Sequence, residues 1–348
     1  MRILVLGDAR QPHFARWAEA FRAGGAEVEG VTMQAPAAPP EFPLHVLDVS
    51  GPGFLRTRAA LPAALAVATR FRPDALGALF VPDYGLLGSR LAARLSPRPR
   101  LWVAALGSDV LRNAWRTPLH LARARGVLSR ADAVAVDAGV LARGVSRLGV
   151  AGEKTVRVDW VPDLGRFAFR AERPAGARRI LSTRQLAPVY DVATLVRAAL
   201  RLAQRRADFE LVVAGDGPQR ERLERLAAPI AARVRFVGRQ DPEGVARLLG
   251  EAGVYVSTAR SDSTSVSLLE AMACGCMPVV TSIEGNREWI TEGSSGLLFP
   301  SGDDEELARQ ISRALDDDSL RDRVAAFNRR RLEALPTFAQ AVKGLMSR

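Results

Sequence analysis

The sequence predicts an α/β protein built of two Rossmann-like, doubly wound domains that face a common cleft. Three observations carry this. A chain of 348 residues is too long for one ordinary core and suits two domains of similar size. Short aliphatic runs alternate with amphipathic stretches twice over, once before and once after a polar segment near residue 170. The composition, 48% apolar and 25% charged, is that of a soluble globular chain, and no apolar run approaches the roughly 18–20 residues of a membrane span.

In the first half, Ile3-Leu4-Val5-Leu6 reads as a buried strand and residues 12–23 as a helix closed by Gly24-Gly25. Further strands are expected at Val28–Met33, His45–Val49, Ala75–Val81, Leu101–Leu106 and Ala133–Val136. Helices are expected near 55–71, 84–95, 111–128 and 138–148. Such alternation implies a mainly parallel sheet with helices on both faces.

The second alternation places strands at Arg179–Ser182, Glu210–Ala214, Arg233–Val237, Val254–Ser257 and Pro278–Thr281, with helices near 191–206, 218–229, 242–251 and 263–274. Residues 1–168 and 179–330 are thus the expected domains. Residues 169–178, polar and holding Pro174 and Gly176, form the expected linker. The closing segment, 331–348, reads as a helical tail interrupted at Pro336, and its return to the first domain is an expectation that periodicity alone does not establish. Doubly wound sheets bind ligands at the carboxyl ends of their strands, so both halves are expected to line the cleft.

The net charge of +11 is unevenly spread: residues 1–170 hold 23 Lys and Arg against 14 Asp and Glu, whereas the remainder holds 26 against 24. A basic half beside a near-neutral one implies a face that meets something anionic. No nucleic-acid motif accompanies the charge, so nucleic acid is not an expected partner. Cys274 and Cys276 stand too close for a disulfide, and His13, His45 and His120 are scattered, so no metal site is expected. The start, MRILVLG, enters a strand-like run after a single Arg, unlike a signal peptide. The reading is a cytoplasmic protein, with the basic half as a peripheral contact for the inner face of an anionic membrane.

The segment from Asp262 to Gly275 carries the most chemistry. Asp262 is placed to cap a helix and Gly275 to end it. The amides and hydroxyls of Ser263, Thr264 and Ser265 would then converge on one spot suited to a diphosphate. Glu270 lies two turns beyond Asp262 on the same helical face, where it could accept both hydroxyls of a ribose. The same residues also fit an ordinary capped core helix with Glu270 exposed.

Leu268-Leu-Glu270-Ala-Met-Ala-Cys-Gly275, preceded by Asp262, resembles the carboxylate–seven residues–carboxylate motif of the family-4-type retaining glycosyltransferases of GT-B architecture. The resemblance continues in register through Ser182-Thr-Arg184-Gln-Leu, Val212-Val-Ala-Gly215-Asp-Gly-Pro218, Val234-Arg-Phe-Val-Gly238-Arg239, Val254-Tyr-Val-Ser-Thr-Ala-Arg-Ser261, Gly285-Asn-Arg-Glu288 and Gly296-Leu-Leu-Phe-Pro300. It covers residues 179–315 well and residues 1–165 in outline.

The resemblance implies that Arg184 contacts a donor diphosphate, that residues 263–265 and Leu268 line it, and that Glu270 holds the ribose. Asp262 would sit near the transferred sugar. Gly215 would belong to the glycine loop, and Gly238 and Arg239 would hold the base. Arginine suits this work because it stays charged and binds two phosphate oxygens at once. The nucleotide-diphosphate sugar is a substrate, and no cofactor or metal is implied.

Two positions depart from the family pattern. Tyr190 stands where a lysine is usual, so one phosphate charge is unmet, and Tyr190→Lys is expected to be tolerated because it restores that charge. Leu106 stands where a histidine is common, ahead of Gly107, Ser108 and Asp109. Asp109 reads either as a catalytic group facing the cleft or as the N-cap of a helix starting at Val110. Gly7, Asp8 and His13 occupy the place of the family's acceptor-side loop, together with Gly107 and Ser108. Residues 111–130 set five arginines beside Trp115, a pattern that fits an anionic membrane surface as well as a core-packed helix with a solvated Arg face.

The expected function is retaining, metal-independent transfer of a sugar from a nucleotide-diphosphate donor to an acceptor left open among glycolipid, polysaccharide and small molecule. The alternatives are a GT-B nucleotide-sugar epimerase and a catalytically silent nucleotide-sugar-binding or scaffold protein.

Overall fold

The computed structural model describes residues 1–49, 51, 53–170 and 178–347. Most of the expected linker, residues 171–177, lies outside the described residues. The chain divides into two compact units, one formed by Met1–Asp159 with Pro336–Arg348, the other by Trp160–Leu335.

The first unit runs β1 (Arg2–Leu6), α1 (Pro12–Ala23), β2 (Glu27–Thr32), β3 (Leu44–Val46), α2 (Gly53–Phe71), β4 (Ala75–Leu79), α3 (Leu86–Ala92), β5 (Arg100–Ala104), α4 (Ser108–Leu111), α5 (Pro118–Arg130), β6 (Ala133–Val136), α6 (Gly139–Arg147) and β7 (Thr155–Arg157). Its seven strands pair in parallel in the order β3-β2-β1-β4-β5-β6-β7. Leu4, Leu6, Leu76 and Val103 form a core with apolar residues of α2, α3, α5 and α6. On α1, Phe14 and Phe21 need glycines beneath them: a Cβ at Gly30 would lie 2.8 Å from the Phe14 ring, and one at Gly77 3.1 Å from Phe21.

Two expected helices are broken here. The stretch near 84–95 opens with a π-helical turn, Val81–Gly85, before α3. The stretch 111–128 is α4, a 3₁₀ turn (Asn113–Trp115) and then α5, because Pro118 takes the first helical position after the Thr117 cap. β5 stops at Ala104, short of Leu106, where Gly107 at φ +113° turns the chain.

The second unit runs β8 (Arg179–Ser182), α7 (Val192–Ala203), β9 (Glu210–Val213), α8 (Arg220–Ala227), β10 (Val234–Phe236), α9 (Pro242–Glu251), β11 (Val254–Ser257), α10 (Val266–Ala273), β12 (Met277–Thr281), α11 (Glu284–Arg287), β13 (Leu297–Phe299), α12 (Asp304–Asp316) and α13 (Asp318–Glu333). Its parallel strands follow the order β10-β9-β8-β11-β12-β13. Ile180, Leu211, Val213, Val254 and Val279 anchor its core against α7 and α12.

The final helix, α14 (Phe338–Met346), belongs to the first unit and packs on α1. The Phe338 ring meets Trp17 edge-on at 5.2 Å, and Met346 lies against Gly24, where a Cβ would come within 2.7 Å of its sulfur.

Candidate functional site

In the second unit, β8 and β11 are neighbours although two strands and three helices separate them in sequence. The chain winds outward to one side through β9 and β10 and to the other through β12 and β13. The loops leaving the carboxyl ends of β8 and β11 therefore part, and such a switch point is where a doubly wound sheet leaves room for a ligand.

Arg184 comes from the first loop and Asp262 from the second, and they meet there. Arg184 Nη2 donates to Asp262 Oδ2 at 2.6 Å, while Nη1 donates to Ser265 Oγ at 2.6 Å and Ser267 Oγ at 2.8 Å. Tyr255, buried in β11, donates its hydroxyl to Ser267 Oγ at 2.8 Å. The Tyr190 ring covers one face of the guanidinium, 4.3 Å from Cζ. Only 8% of Arg184 is exposed. Burial works against its charge, but Asp262 together with Tyr255 and Tyr190 outweighs it, and Arg184 holds its proton more firmly than a free arginine. Arg184 Nε, Ser182 Oγ and Ser257 Oγ are buried there without a hydrogen-bond partner among the described residues.

Backbone packing fixes this arrangement. A Cβ on Gly215 would fall 2.2 Å from the Arg184 carbonyl oxygen, so the glycine loop seats directly on the Arg184 loop. Leu186 N also donates to the Asp216 carbonyl, and Gln219 N to that of Leu186. On the other side, a Cβ on Gly285 would lie 2.0 Å from the Ser263 carbonyl oxygen. Tyr190 is held by the Thr258 hydroxyl, which donates to its carbonyl, and by Asp191 at φ +43°, whose buried carboxylate accepts from Thr194 and Arg260.

Asp262 is not the helix cap. α10 starts at Val266, and Ser265 caps it by accepting from Leu268 N. Asp262 is drawn off by Arg184, a tertiary partner stronger than a backbone amide. Residues 263–265 accordingly form a buried loop ahead of the helix, and the expected shared helical face of Asp262 and Glu270 does not exist. The C-terminus is as expected: Gly275 at φ +80° closes it, with Cys276 N donating to the Ala271 carbonyl and Gly275 N to that of Met272.

Burial raises the pKa of the Tyr255 phenol, and Glu270, half-buried on α10, lies near enough for its charge to oppose ionisation further. Leu268 is fully buried in the helix. Thr264 accepts from Trp289 Nε1 at 3.4 Å, and Arg331 stacks over that indole at 4.8 Å. Gly238, at φ +71°, and the exposed Arg239 follow β10, two strands from β8.

In the first unit the corresponding switch point lies between β1 and β4. Gly7 ends β1 under Phe14, and Asp8 pairs with Arg10 at 2.8 Å. Burial pushes the Asp8 carboxyl up, but the Arg10 hydrogen bonds prevail and leave it below its usual range. Tyr84, from the π turn, donates to Gln34 at 2.7 Å and accepts from Met33 N. His13 is half-buried at the start of α1, and Ser108 is exposed.

Asp109 departs from both expectations. It is fully buried, and its carboxylate accepts from Val81 N, Leu106 N and Val110 N, all at 3.1 Å. It neither faces solvent nor caps α4, which starts at Ser108. Its role is a tether between the Gly107 loop and the end of β4, where Phe80 holds the strained φ of +81°. Burial pushes its pKa up to about 6 against the pull of those amides.

Residues 166–331 match the model of the glycosyl transferases group 1 family, and residues 2–138 match that of the glycosyl transferase 4-like family. The chain belongs to the GT-B glycosyltransferases of the family-4 type. It is 30% identical over 148 residues to the alpha-D-kanosaminyltransferase of Streptomyces kanamyceticus, covering 42% of this chain and 38% of that one. It is 32% identical over 158 residues to the lipopolysaccharide core biosynthesis glycosyltransferase LpsE of Rhizobium meliloti, covering 45% of each. The chain thus spans less than half the length of these curated relatives. The fold is that of Anabaena HepE solved in complex with UDP-glucose, with a TM-score of 0.82 over 100% of both chains at 19% identity.

In this GT-B chain the switch point brings together Arg184, Tyr190, Asp262 and Ser265, with Gly215 behind them. Sequence reasoning missed Ser267, Tyr255 and Gly285. The alternation Ser263, Ser265, Ser267 was a visible signal for the first, whereas Tyr255 looked like any strand aromatic.

Proposed function

We propose that this chain transfers a sugar from a nucleotide-diphosphate sugar, with retention of configuration and without a metal, to a glycolipid, polysaccharide or small-molecule acceptor. One observation carries the reading: a buried, permanently charged Arg184 spans the β8–β11 switch point among serine hydroxyls. The diphosphate takes the place of Asp262 as the anion facing Arg184, while the hydroxyls of Ser265 and Ser267 turn to phosphate oxygens. Neutralising the departing diphosphate in this way lowers the barrier to transfer. Asp262, once released, lies beside the sugar, and Glu270 accepts the ribose hydroxyls. HepE, solved with UDP-glucose, and the two glycosyltransferase relatives support this reading.

An anionic membrane surface fits the first unit, where Trp115 (47% exposed) and Leu119 (57% exposed) stand out among Arg112, Arg116 and Arg123. The donor reading is tested by calorimetric titration of UDP into wild type and Glu270→Ala. A loss of about 1–3 kcal/mol, the scale of hydrogen bonds to a charged group, is expected in the variant. Unchanged affinity, with both proteins folded, would remove Glu270 from the site.

A further inference from the structure

The hydroxyls around Arg184 form a network with a direction. A serine hydroxyl has one proton to donate and two lone pairs that accept. Ser267 Oγ accepts from Arg184 Nη1 at 2.8 Å and from the Tyr255 hydroxyl at 2.8 Å, so both of its lone pairs are taken. Its own proton has one acceptor among the described residues, Ser265 Oγ at 3.2 Å. Ser265 Oγ in turn accepts from Arg184 Nη1 at 2.6 Å and, more weakly, from the Leu268 amide at 3.4 Å. The Ser265 proton therefore meets no open lone pair among the described residues, although Ser265 is only 2% exposed.

Tyr255 sets that direction. It is fully buried on β11, a strand paired on both sides, where it lies opposite Leu181 of β8 and Pro278 of β12. Burial keeps the phenol protonated, although the Arg184 charge pulls the other way. It thus remains a donor into Ser267 Oγ. With phenylalanine in its place, Ser267 would have a lone pair open to the Ser265 proton, and the two serines would satisfy each other. With tyrosine they do not, and buried hydroxyl protons are normally paired. An anion beside Arg184, with several acceptor oxygens, supplies what the serines lack.

We infer that Tyr255 is a positioning residue of the donor site: through Ser267 it turns the serine protons outward, so that Ser265 and Ser267 join Arg184 in donating to the diphosphate. The inference rests on the diphosphate-donor reading and adds to it a residue set one hydrogen bond behind the ligand. Tyr255 works by filling the inner lone pair of Ser267, so its effect on binding exists only while Ser267 carries a hydroxyl.

Calorimetric titration of UDP and GDP into wild type and Arg184→Ala identifies the tighter nucleotide and tests the donor reading by itself. That nucleotide is then titrated into Tyr255→Phe, Ser267→Ala and the double variant. Tyr255→Phe, which keeps the ring, should weaken binding about threefold to tenfold, the equivalent of one hydrogen bond. Ser267→Ala should weaken it as well, and adding Tyr255→Phe to Ser267→Ala should weaken it no further, because residues that act through one another are not additive. A tyrosine that merely fills space would instead reduce the double variant by the same factor as the single one. The double variant removes both partners of the hydrogen bond, so its comparison with Ser267→Ala reads the inference even if Tyr255→Phe alone fails to fold. Wild-type affinity in Tyr255→Phe, or a full further loss in the double variant, overturns the role of Tyr255 and leaves the donor reading standing. No binding of either nucleotide by wild type, or none lost in Arg184→Ala, removes the donor reading and this role with it.

Discussion

Tyr190→Lys separates what the family pattern suggests from what this structure permits. A lysine there restores a usual cation, and from sequence alone the change is expected to be tolerated. In the structure the phenol ring lies 4.3 Å from the Arg184 guanidinium carbon. Losing that stacking costs about 1–2 kcal/mol at a largely desolvated site. A lysine ammonium about 6 Å from the guanidinium adds repulsion of about 0.7–3 kcal/mol, depending on how far water screens it. The ligand-free variant should therefore be about 2–4 kcal/mol less stable, a fall in Tm of roughly 5–10 °C for a unit of this size. A diphosphate offsets the repulsion, so UDP should raise the Tm of the variant by more than it raises that of wild type. Thermal unfolding with and without UDP measures both quantities. Equal Tm values without nucleotide would refute the stacking argument, and an equal shift with it would refute the diphosphate position.

Asp109 supplies a pH signature. Its folded-state pKa of about 6 exceeds the unfolded value, so the native state binds the extra proton, and stability should fall as pH rises from about 4 to about 6, by up to about 3 kcal/mol. Urea unfolding across that window should show this slope in wild type. Asp109→Ala should lack it and be less stable throughout, by about 3 kcal/mol or more, as three buried amides lose their acceptor. For Gly215→Ala, the 2.2 Å clash with the Arg184 carbonyl should push the loop away, cost about 1–3 kcal/mol of stability and abolish measurable UDP binding; retained affinity would show that the glycine loop does not support Arg184.

Much of the architecture was legible because a parallel sheet writes itself into sequence as repeated aliphatic runs. Ile3–Leu6, Ala133–Val136, Arg179–Ser182 and Val254–Ser257 all lie within strands. The errors fell where a distant partner overrules local preference. Asp262 is a favourable cap by type, yet Arg184, far away in sequence, claims it and leaves the cap to Ser265. Asp109 looked like a cap or an exposed acid, and only the fold brings the Val81 amide to it. Tyr190 stood out in sequence only as the replacement of a usual lysine, and its stacking on Arg184 is visible only in the fold. Hydrophobic periodicity holds no information on such encounters, because they join loops rather than faces.

The return of α14 to α1 bears on how the protein is made. Phe338, which covers Trp17, is synthesised only after the whole of the second unit. The first unit therefore emerges nearly whole but with one aromatic side uncovered while all of Trp160–Leu335 is still being translated. At elongation rates of about 5–20 residues per second that interval is on the order of 10–35 s, long compared with the folding of a domain. The nascent first unit spends it with Trp17 and Gly24 uncovered by α14. A stop codon at Phe338 would leave every residue of the Arg184 site intact while releasing a protein that never covers α1.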